Sequence, residues 1–246
     1  GIMARVVITG MGAVSPVGLT LDETWKNLKN GVNGIASPTT FDPESIGIYA
    51  VGEVKDFNPE PIISKREARR LDRFSQFALV AADEAVKNAD FENAGYDPDD
   101  VACILGSGMG GITTILDDYT GFLKDGYRAI SPLYIPKSII NLAAGNVAIK
   151  YGVKGPCYGV VTACASSTDA IGQAFIGIKY GRYKAALAGG AEATILAFTT
   201  GGFARMQALS TNKDPKKACR PFDRDRDGFI MGEGAAYMVL EDYDSA

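Results

Sequence analysis

The chain has 246 residues, 46% of them apolar and 22% charged, enough for one sizeable core or two small ones. A net charge of -4 and a pI near 5.0 leave no electrostatic footprint for nucleic acid, and no apolar run approaches the ~18 residues of a membrane-spanning helix. The chain contains 0 histidines, which excludes imidazole-based metal sites and any Ser–His or Cys–His dyad made within it.

Gly1-Ile2 reads as a non-native remnant ahead of a native Met3, because the start has neither an apolar signal core nor a small-residue cleavage site. Arg5-Val6-Val7-Ile8-Thr9 is a β-branched run that predicts a buried strand ending in a loop at Gly10-Met11-Gly12. Ser64-Lys65-Arg66-Glu67 fits a capping box, and Leu71, Phe74, Ala78, Ala81 and Ala85 then form one apolar stripe, predicting a single helix of five or more turns. Val101-Ala102-Cys103-Ile104-Leu105 predicts a second strand, followed by Gly106-Ser107-Gly108-Met109-Gly110-Gly111. Lys137 to Ile149 reads as a helix. Tyr158 to Val161 reads as a strand running into Thr162-Ala163-Cys164-Ala165-Ser166-Ser167. The stripe Ala170, Ile171, Ala174, Phe175 and Ile178 predicts a helix that stops near Gly181. Ala185 to Ala188 is a small-residue strand closed by Gly189-Gly190, and Ala235 to Leu240 is the last strand, expected to run antiparallel. Strands alternating with helices indicate an α/β layer on a mainly parallel sheet, with no repeat and no low-complexity linker, hence one domain.

Three patterns compete for a function. Gly106-x-Gly108-x-x-Gly111 matches a dinucleotide fingerprint, but no acidic residue ends a following strand, so close backbone approach accounts for it better. Asp223-x-Asp225-x-Asp227-Gly228 imitates the start of an EF-hand loop, yet Gly234 stands where the bidentate Glu is required. These carboxylates are expected to tie down the loop entering the last strand. Cys164 differs, because it lies where an apolar strand turns into a helix among small residues. A side chain there projects outward, and the helix behind it offers free N–H groups for an oxyanion. Cys103 and Cys157 read as small core hydrophobes. The four cysteines show no C-x-x-C pairing, which suggests a reducing cytoplasm.

Thr162-Ala163-Cys164-Ala165-Ser166-Ser167 resembles the nucleophile motif of the elongating β-ketoacyl-acyl-carrier-protein synthases, most of all the bacterial type II enzymes. So do Val7 to Gly18, Gly106 to Gly111, Gly189-Gly190-Ala191-Glu192, Arg220-Pro221-Phe222-Asp223 with Arg226-Asp227-Gly228-Phe229, and Gly232-Glu233-Gly234-Ala235, in the family's order. The resemblance implies a thiolase-like fold of which residues 3–246 are the N-terminal half, a five-stranded mixed, mainly parallel sheet covered by helices. It implies an acyltransferase without cofactor or metal, in which Cys164 takes an acyl group from acyl carrier protein and malonyl carrier protein then condenses with it after losing carbon dioxide. Two histidines and a lysine of the second half assist that step in family members, and this chain lacks them.

Further roles come with the resemblance. Met109, Phe203, Tyr134 and Ile135 match residues that line the acyl pocket, the last two across a homodimer axis formed by the strand before Cys164. Lys65, Arg66, Arg69, Arg70, Arg73 and Arg128 are expected to form a basic docking surface for the acidic carrier protein, and family members are basic at the positions of Arg66, Arg69, Arg70 and Arg128. Where relatives add further basic residues this chain has Ala129 and Gln207. Lys65 and Arg66 would also oppose the dipole of the Ser64-capped helix. Two alternatives stand beside the fatty-acid enzyme. A polyketide ketosynthase shares the pattern; a non-catalytic chain-length partner does too, but usually carries Gln in place of Cys164. A coenzyme A thiolase would place its nucleophile nearer the N-terminus.

Overall fold

The computed structural model describes residues 3–246, so the remnant reading of Gly1-Ile2 lies outside the described residues. The contacts divide the chain into two compact units. The first takes the chain up to Val14, Asn58–Ala193 and everything from Ala235 on; the second takes Ser15–Phe57 and Thr194–Gly234.

The first unit holds a five-stranded sheet of β1 (Val6–Val14), β2 (Val101–Gly106), β3 (Cys157–Val160), β4 (Ala185–Glu192) and β5 (Gly234–Asp242) in the order β1-β5-β4-β2-β3. β2 pairs in parallel with β3 and β4, whereas β5 runs antiparallel to β1, so the sheet is mixed as expected. The helices are α1 (Leu21–Lys29), α2 (Pro43–Ile46), α3 (Lys65–Ala68), α4 (Arg73–Asn88), α5 (Ile112–Asp125), α6 (Tyr134–Ser138), α7 (Asn141–Tyr151), α8 (Ser166–Lys179), α9 (Ala197–Arg205) and α10 (Pro215–Ala218). α8 covers one face, where Ala170, Ala174 and Ile178 pack against Ala102, Ile104, Ala186, Ala188 and Leu240. α4 and α7 pack on strands of the same sheet as well, and Cys103 Sγ lies 3.3 Å from the Ala144 carbonyl of α7. All six residues of β2 are buried, as a strand covered on both faces must be.

Several boundaries depart from the sequence reading, each for a packing reason. β1 runs straight through Gly10 and Gly12 instead of ending in a loop there. α4 lies so close that a Cβ on Gly10 would come 2.2 Å from the Ala85 carbonyl oxygen, and one on Gly12 would come 2.1 Å from that of Ala81. Asn88 and Glu84 of α4 accept from the Met11 and Ala13 amides at 3.0 and 2.8 Å. The long helix after Ser64 is two helices. The Ser64–Glu67 capping box forms, but α3 is a single turn, and buried Asp72 starts α4 afresh. Asp72 accepts from the Phe74 amide at 3.1 Å and, across to α5, from the Thr114 amide and hydroxyl at 3.0 and 2.7 Å. A buried carboxylate needs those donors, and a continuous helix would not supply them. The segment from Lys137 to Ile149 is likewise split, because Ile139 turns extended between α6 and α7 and Ile140 packs over Gly110 and Gly159. β4 continues through Gly189-Gly190 to Glu192.

In the second unit Ile48, Val51, Ile195, Leu209 and Met231 form a small core with Phe41, Ile46, Phe203 and Ala204 against it. Asp227 accepts from the Ser210 hydroxyl at 2.6 Å and the Thr211 amide at 3.0 Å, tying down the loop as expected. Those donors, the Ser210 hydroxyl first, hold its carboxyl below the usual range.

The glycines at the sheet's end make a testable pair. A Cβ on Gly106 would meet the Ser166 carbonyl group at 2.2 Å, whereas nothing lies within 4 Å of one on Gly172 in α8. Gly106→Ala should therefore cost roughly 1–3 kcal/mol or more, and Gly172→Ala should raise stability by about 0.4–1 kcal/mol. Urea denaturation of the two variants checks both signs.

Candidate active site

β2, β3 and β4 run in parallel and deliver Gly106, Val160 and Glu192 to the same edge of the sheet. Ligands in such sheets bind outside the carboxyl ends of the strands. Leaving β3, the chain makes one tight turn, Ala163–Ala165, and enters α8 at Ser166. Ala163 has φ +52°, a left-handed conformation that costs a residue with a Cβ about 1 kcal/mol. Buried Ser166 holds it there: its hydroxyl donates to the Ala163 carbonyl at 2.6 Å and accepts from the Thr162 amide at 2.9 Å. α8 has no side-chain N-cap; the Ser166 amide donates back to the Ala163 carbonyl, and the next amides of its first turn have no side-chain cap beside the turn. Cys164 stands exposed at the crest of this turn. The outward projection expected from sequence is present, with the strained residue at Ala163 instead of at the cysteine itself.

The turn is seated by small residues. A Cβ on Gly190 would fall 1.7 Å from the Ser167 hydroxyl, and one on Gly108 would lie 3.7 Å from the Ala163 carbonyl oxygen. Ser107 to Gly110 thus forms the neighbouring loop, and Glu192 clasps it. One carboxylate oxygen of Glu192 accepts from the Ser107 hydroxyl at 2.5 Å, the Gly108 amide at 2.5 Å and the Met109 amide at 3.2 Å. Ser107 in turn accepts from the Gly110 amide at 3.0 Å. Ser166, Ser107 and Glu192 were not singled out from sequence. The available signal was a carboxylate ending an otherwise apolar, small-residue strand.

Met109 is partly exposed on this loop, and Tyr134 and Ile135 open α6, Tyr134 half-buried and Ile135 exposed. Phe203 belongs to the second unit, where its ring meets Phe229 edge-on at 5.5 Å. Lys65, Arg66, Arg69, Arg70 and Arg128 are all exposed, and none makes an ion pair among the described residues. Arg73 is set apart, half-buried with its guanidinium 4.6 Å from the Phe77 ring centre. Because α3 is one turn long, the expected conflict of Lys65 and Arg66 with a helix dipole shrinks to that of a single turn.

Cys157 is a correction. It is exposed on edge strand β3, directly across the ladder from buried Cys103, and so is no core residue. Hydrogen bonding to Cys157 and burial push the Cys103 thiol well up. The same bond pulls the Cys157 thiol down to about 7, against its partial burial. A thiolate is the reactive form, so alkylation of Cys157 by limiting iodoacetamide should climb through about pH 7 and saturate above it. Cys103 should stay unlabelled until urea unfolds the chain. Peptide mapping across a pH series reads both, and a Cys157 profile that climbs only near the ordinary thiol value of about 8.5 would contradict the assigned pair.

Residues 3–246 match the family model for the N-terminal domain of beta-ketoacyl synthases. The 3-oxoacyl-[acyl-carrier-protein] synthase 2 of Staphylococcus aureus is 46% identical over 242 residues, which are 98% of this chain and 58% of that protein. Among solved structures, the ishigamide ketosynthase/chain length factor superposes with a TM-score of 0.90 at 30% identity, over 99% of this chain and 60% of that one. The AntDE:AntF complex, a type II polyketide ketosynthase with its acyl-carrier protein, superposes with a TM-score of 0.84 at 29% identity, over 99% and 59%. The chain therefore spans 58% of the length of the curated relative, and the expected thiolase-like sheet is the one it shares with these ketosynthases. With the family model matched over the whole described length and the sheet shared with these ketosynthases, the chain belongs to the beta-ketoacyl synthase family, of which it carries the N-terminal domain.

Proposed function

We propose that this chain is the nucleophile-bearing half of a 3-oxoacyl-[acyl-carrier-protein] synthase of fatty acid biosynthesis, working in the cytoplasm. The observation that carries the reading is Cys164, exposed on a turn that Ser166 locks at the start of α8. Its sulfur attacks the carbonyl carbon of an acyl thioester on acyl carrier protein, and the carrier's thiol leaves with the proton. The oxygen that becomes negative in between can receive N–H groups from the first turn of α8. Malonyl carrier protein then loses carbon dioxide, its carbanion attacks the Cys164 thioester, and the cysteine sulfur is released. The acid–base groups of that second step lie outside this chain, which has 0 histidines. Met109, Tyr134 and Ile135 would line the acyl pocket. Edge strand β3, with exposed Tyr158 on it and exposed Val161 just past its end, would pair with a second copy. The likeness to polyketide ketosynthases favours a second reading, with polyketide intermediates as the acyl donors. Cys164 argues against a non-catalytic chain-length role.

Incubation with acyl carrier protein bearing a saturated acyl chain should add that acyl mass to Cys164, slowly and without turnover. Cys164→Ala should abolish the adduct, and addition of malonyl carrier protein should yield no ketoacyl product from this chain alone. Intact-mass spectrometry with peptide mapping reads the adduct. Transfer to another cysteine, or steady condensation, would refute the assignment.

Lys65, Arg66, Arg69, Arg70 and Arg128 present unpaired positive charge on a chain of net charge -4, and we infer that they receive the acidic carrier protein. Rim charges chiefly speed encounter and make it salt-sensitive. Affinity for the carrier should fall steeply between low and physiological salt. The Arg66→Glu/Arg70→Glu pair should lower the low-salt affinity about tenfold while leaving the urea midpoint unchanged. An unaltered affinity and salt slope in a titration of the double variant would make the patch a merely solvated surface.

A further inference from the structure

The loop that faces the cysteine turn has no regular secondary structure of its own, and one carboxylate holds it. Glu192 ends β4, and a single oxygen of it collects the Ser107 hydroxyl, the Gly108 amide and the Met109 amide. Ser107, itself buried, passes the restraint on by accepting from the Gly110 amide, whose residue sits at φ +56°. Its own amide donates to the Val160 carbonyl at 3.1 Å, at the end of the strand that leads to Cys164. The backbone of residues 107–110 is thus tied to β3 on one side and to β4 on the other. Three donors converging on one carboxylate oxygen form a concave anion nest, and charge-assisted bonds of this kind are about twice as strong as neutral ones.

The consequence falls on Met109. Its side chain is flexible, with three rotatable bonds, so its reach toward the cysteine turn depends on where its backbone is held. Gly108, the preceding residue, approaches both Glu192 and the Ala163 carbonyl, which a Cβ there would contact at 3.5 and 3.7 Å. Loosening the clasp would therefore move Met109 relative to Cys164 without touching the cysteine. We propose that Glu192 is a positioning residue for chain-length selection: by clamping the Ser107–Gly110 loop it fixes Met109 and so sets which alkyl chains can lie beside Cys164. This rests on the reading of Met109 as an acyl-pocket residue. Glu192 contacts no reacting atom in the proposal, and its effect passes wholly through the loop.

The test uses this chain and two alkylating probes of different length, iodoacetamide and N-decyl iodoacetamide. Both react with Cys164 by displacing iodide. The ratio of their rates at Cys164, divided by the same ratio for N-acetylcysteine, measures the discrimination that the site imposes. Hydrogen exchange at the Gly108 to Gly110 amides reads the clamp directly. Glu192→Ala should lower that protection by about tenfold or more and bring the rate ratio about tenfold closer to the free-thiol value. Glu192→Gln, which retains an acceptor oxygen at the same reach, should stay within about twofold of the parent. Labelling of Cys157 by iodoacetamide should be the same in all variants. Should Glu192→Ala fail to fold, Ser107→Ala decides, since it removes one bond to Glu192 and the bond to Gly110 and should shift the ratio in the same direction. A parent ratio equal to that of the free thiol overturns the proposal. So does a variant whose loop protection is lost while its ratio is unchanged. The outcome is separable from the acylation test. Acyl transfer to Cys164 with no response to Glu192 sinks only this inference, and a response to Glu192 without acyl transfer sinks only the proposed function.

Discussion

The first turn of α8 lies against glycine backbone of the sheet, with no strand side chain between. Gly106 at the end of β2 and Gly190 near the end of β4 leave no room for a Cβ, which would meet Ser166 and Ser167 at 2.2 and 1.7 Å. From this close approach the rest of the site follows. β3 ends level with β2, so the chain has only Val161, Thr162 and one tight turn in which to reverse into α8. That forces a left-handed residue at Ala163, and the buried Ser166 hydroxyl offsets the strain with two hydrogen bonds. Cys164 is exposed because the chain folds back beneath it.

A second theme is the use of carboxylates as anchors for irregular backbone. Asp72 joins the start of α4 to the start of α5, Glu192 holds the Ser107–Gly110 loop, and Asp227 holds Ser210 and Thr211. Buried Glu241 receives the Thr9 hydroxyl and, at 2.5 Å, the Tyr96 hydroxyl. Burial and the bond to Glu241 both push the Tyr96 hydroxyl up, so it stays a donor. Each carboxylate accepts from amides or hydroxyls, which compensates the desolvation that would otherwise expel it. A loop held this way keeps one conformation without a regular element to define it, as a surface that must be shaped for a ligand requires.

The sequence marked the regular elements well where one face alone decides them. β2, β3, α8 and the last strand lie within a residue or two of where their patterns put them, because a stripe such as Ala170, Ala174 and Ile178 reports burial directly. It misplaced strand ends where a glycine lies under a close neighbour, although the helix stop near Gly181 was read correctly. Gly10, Gly12, Gly189 and Gly190 read as loop signals, yet all four lie inside strands, since α4, α8 or β5 presses on them. A glycine has the same local signature whether a turn or a close neighbour requires it. Helix breaks were missed for a related reason: Asp72 interrupts an unbroken apolar stripe to serve Thr114, forty-two residues away in sequence.

At the site, residue type and order alone singled out Cys164, and with the family motifs they identified the kind of domain this is, because a cysteine at a strand-to-helix turn among small residues is local in sequence. Tertiary structure decided everything that depends on residues distant in the chain. It placed Glu192 on the Ser107–Gly110 loop, eighty-four residues from Gly108, and put Cys157 on an open edge opposite Cys103. It also laid the guanidinium of half-buried Arg73 over the Phe77 ring. The physical reason is the same in each case. Periodicity records how much of a side chain is buried, whereas the partner that a hydroxyl, thiol or carboxylate meets is set by which strands become neighbours, and strand order is a property of the whole sheet.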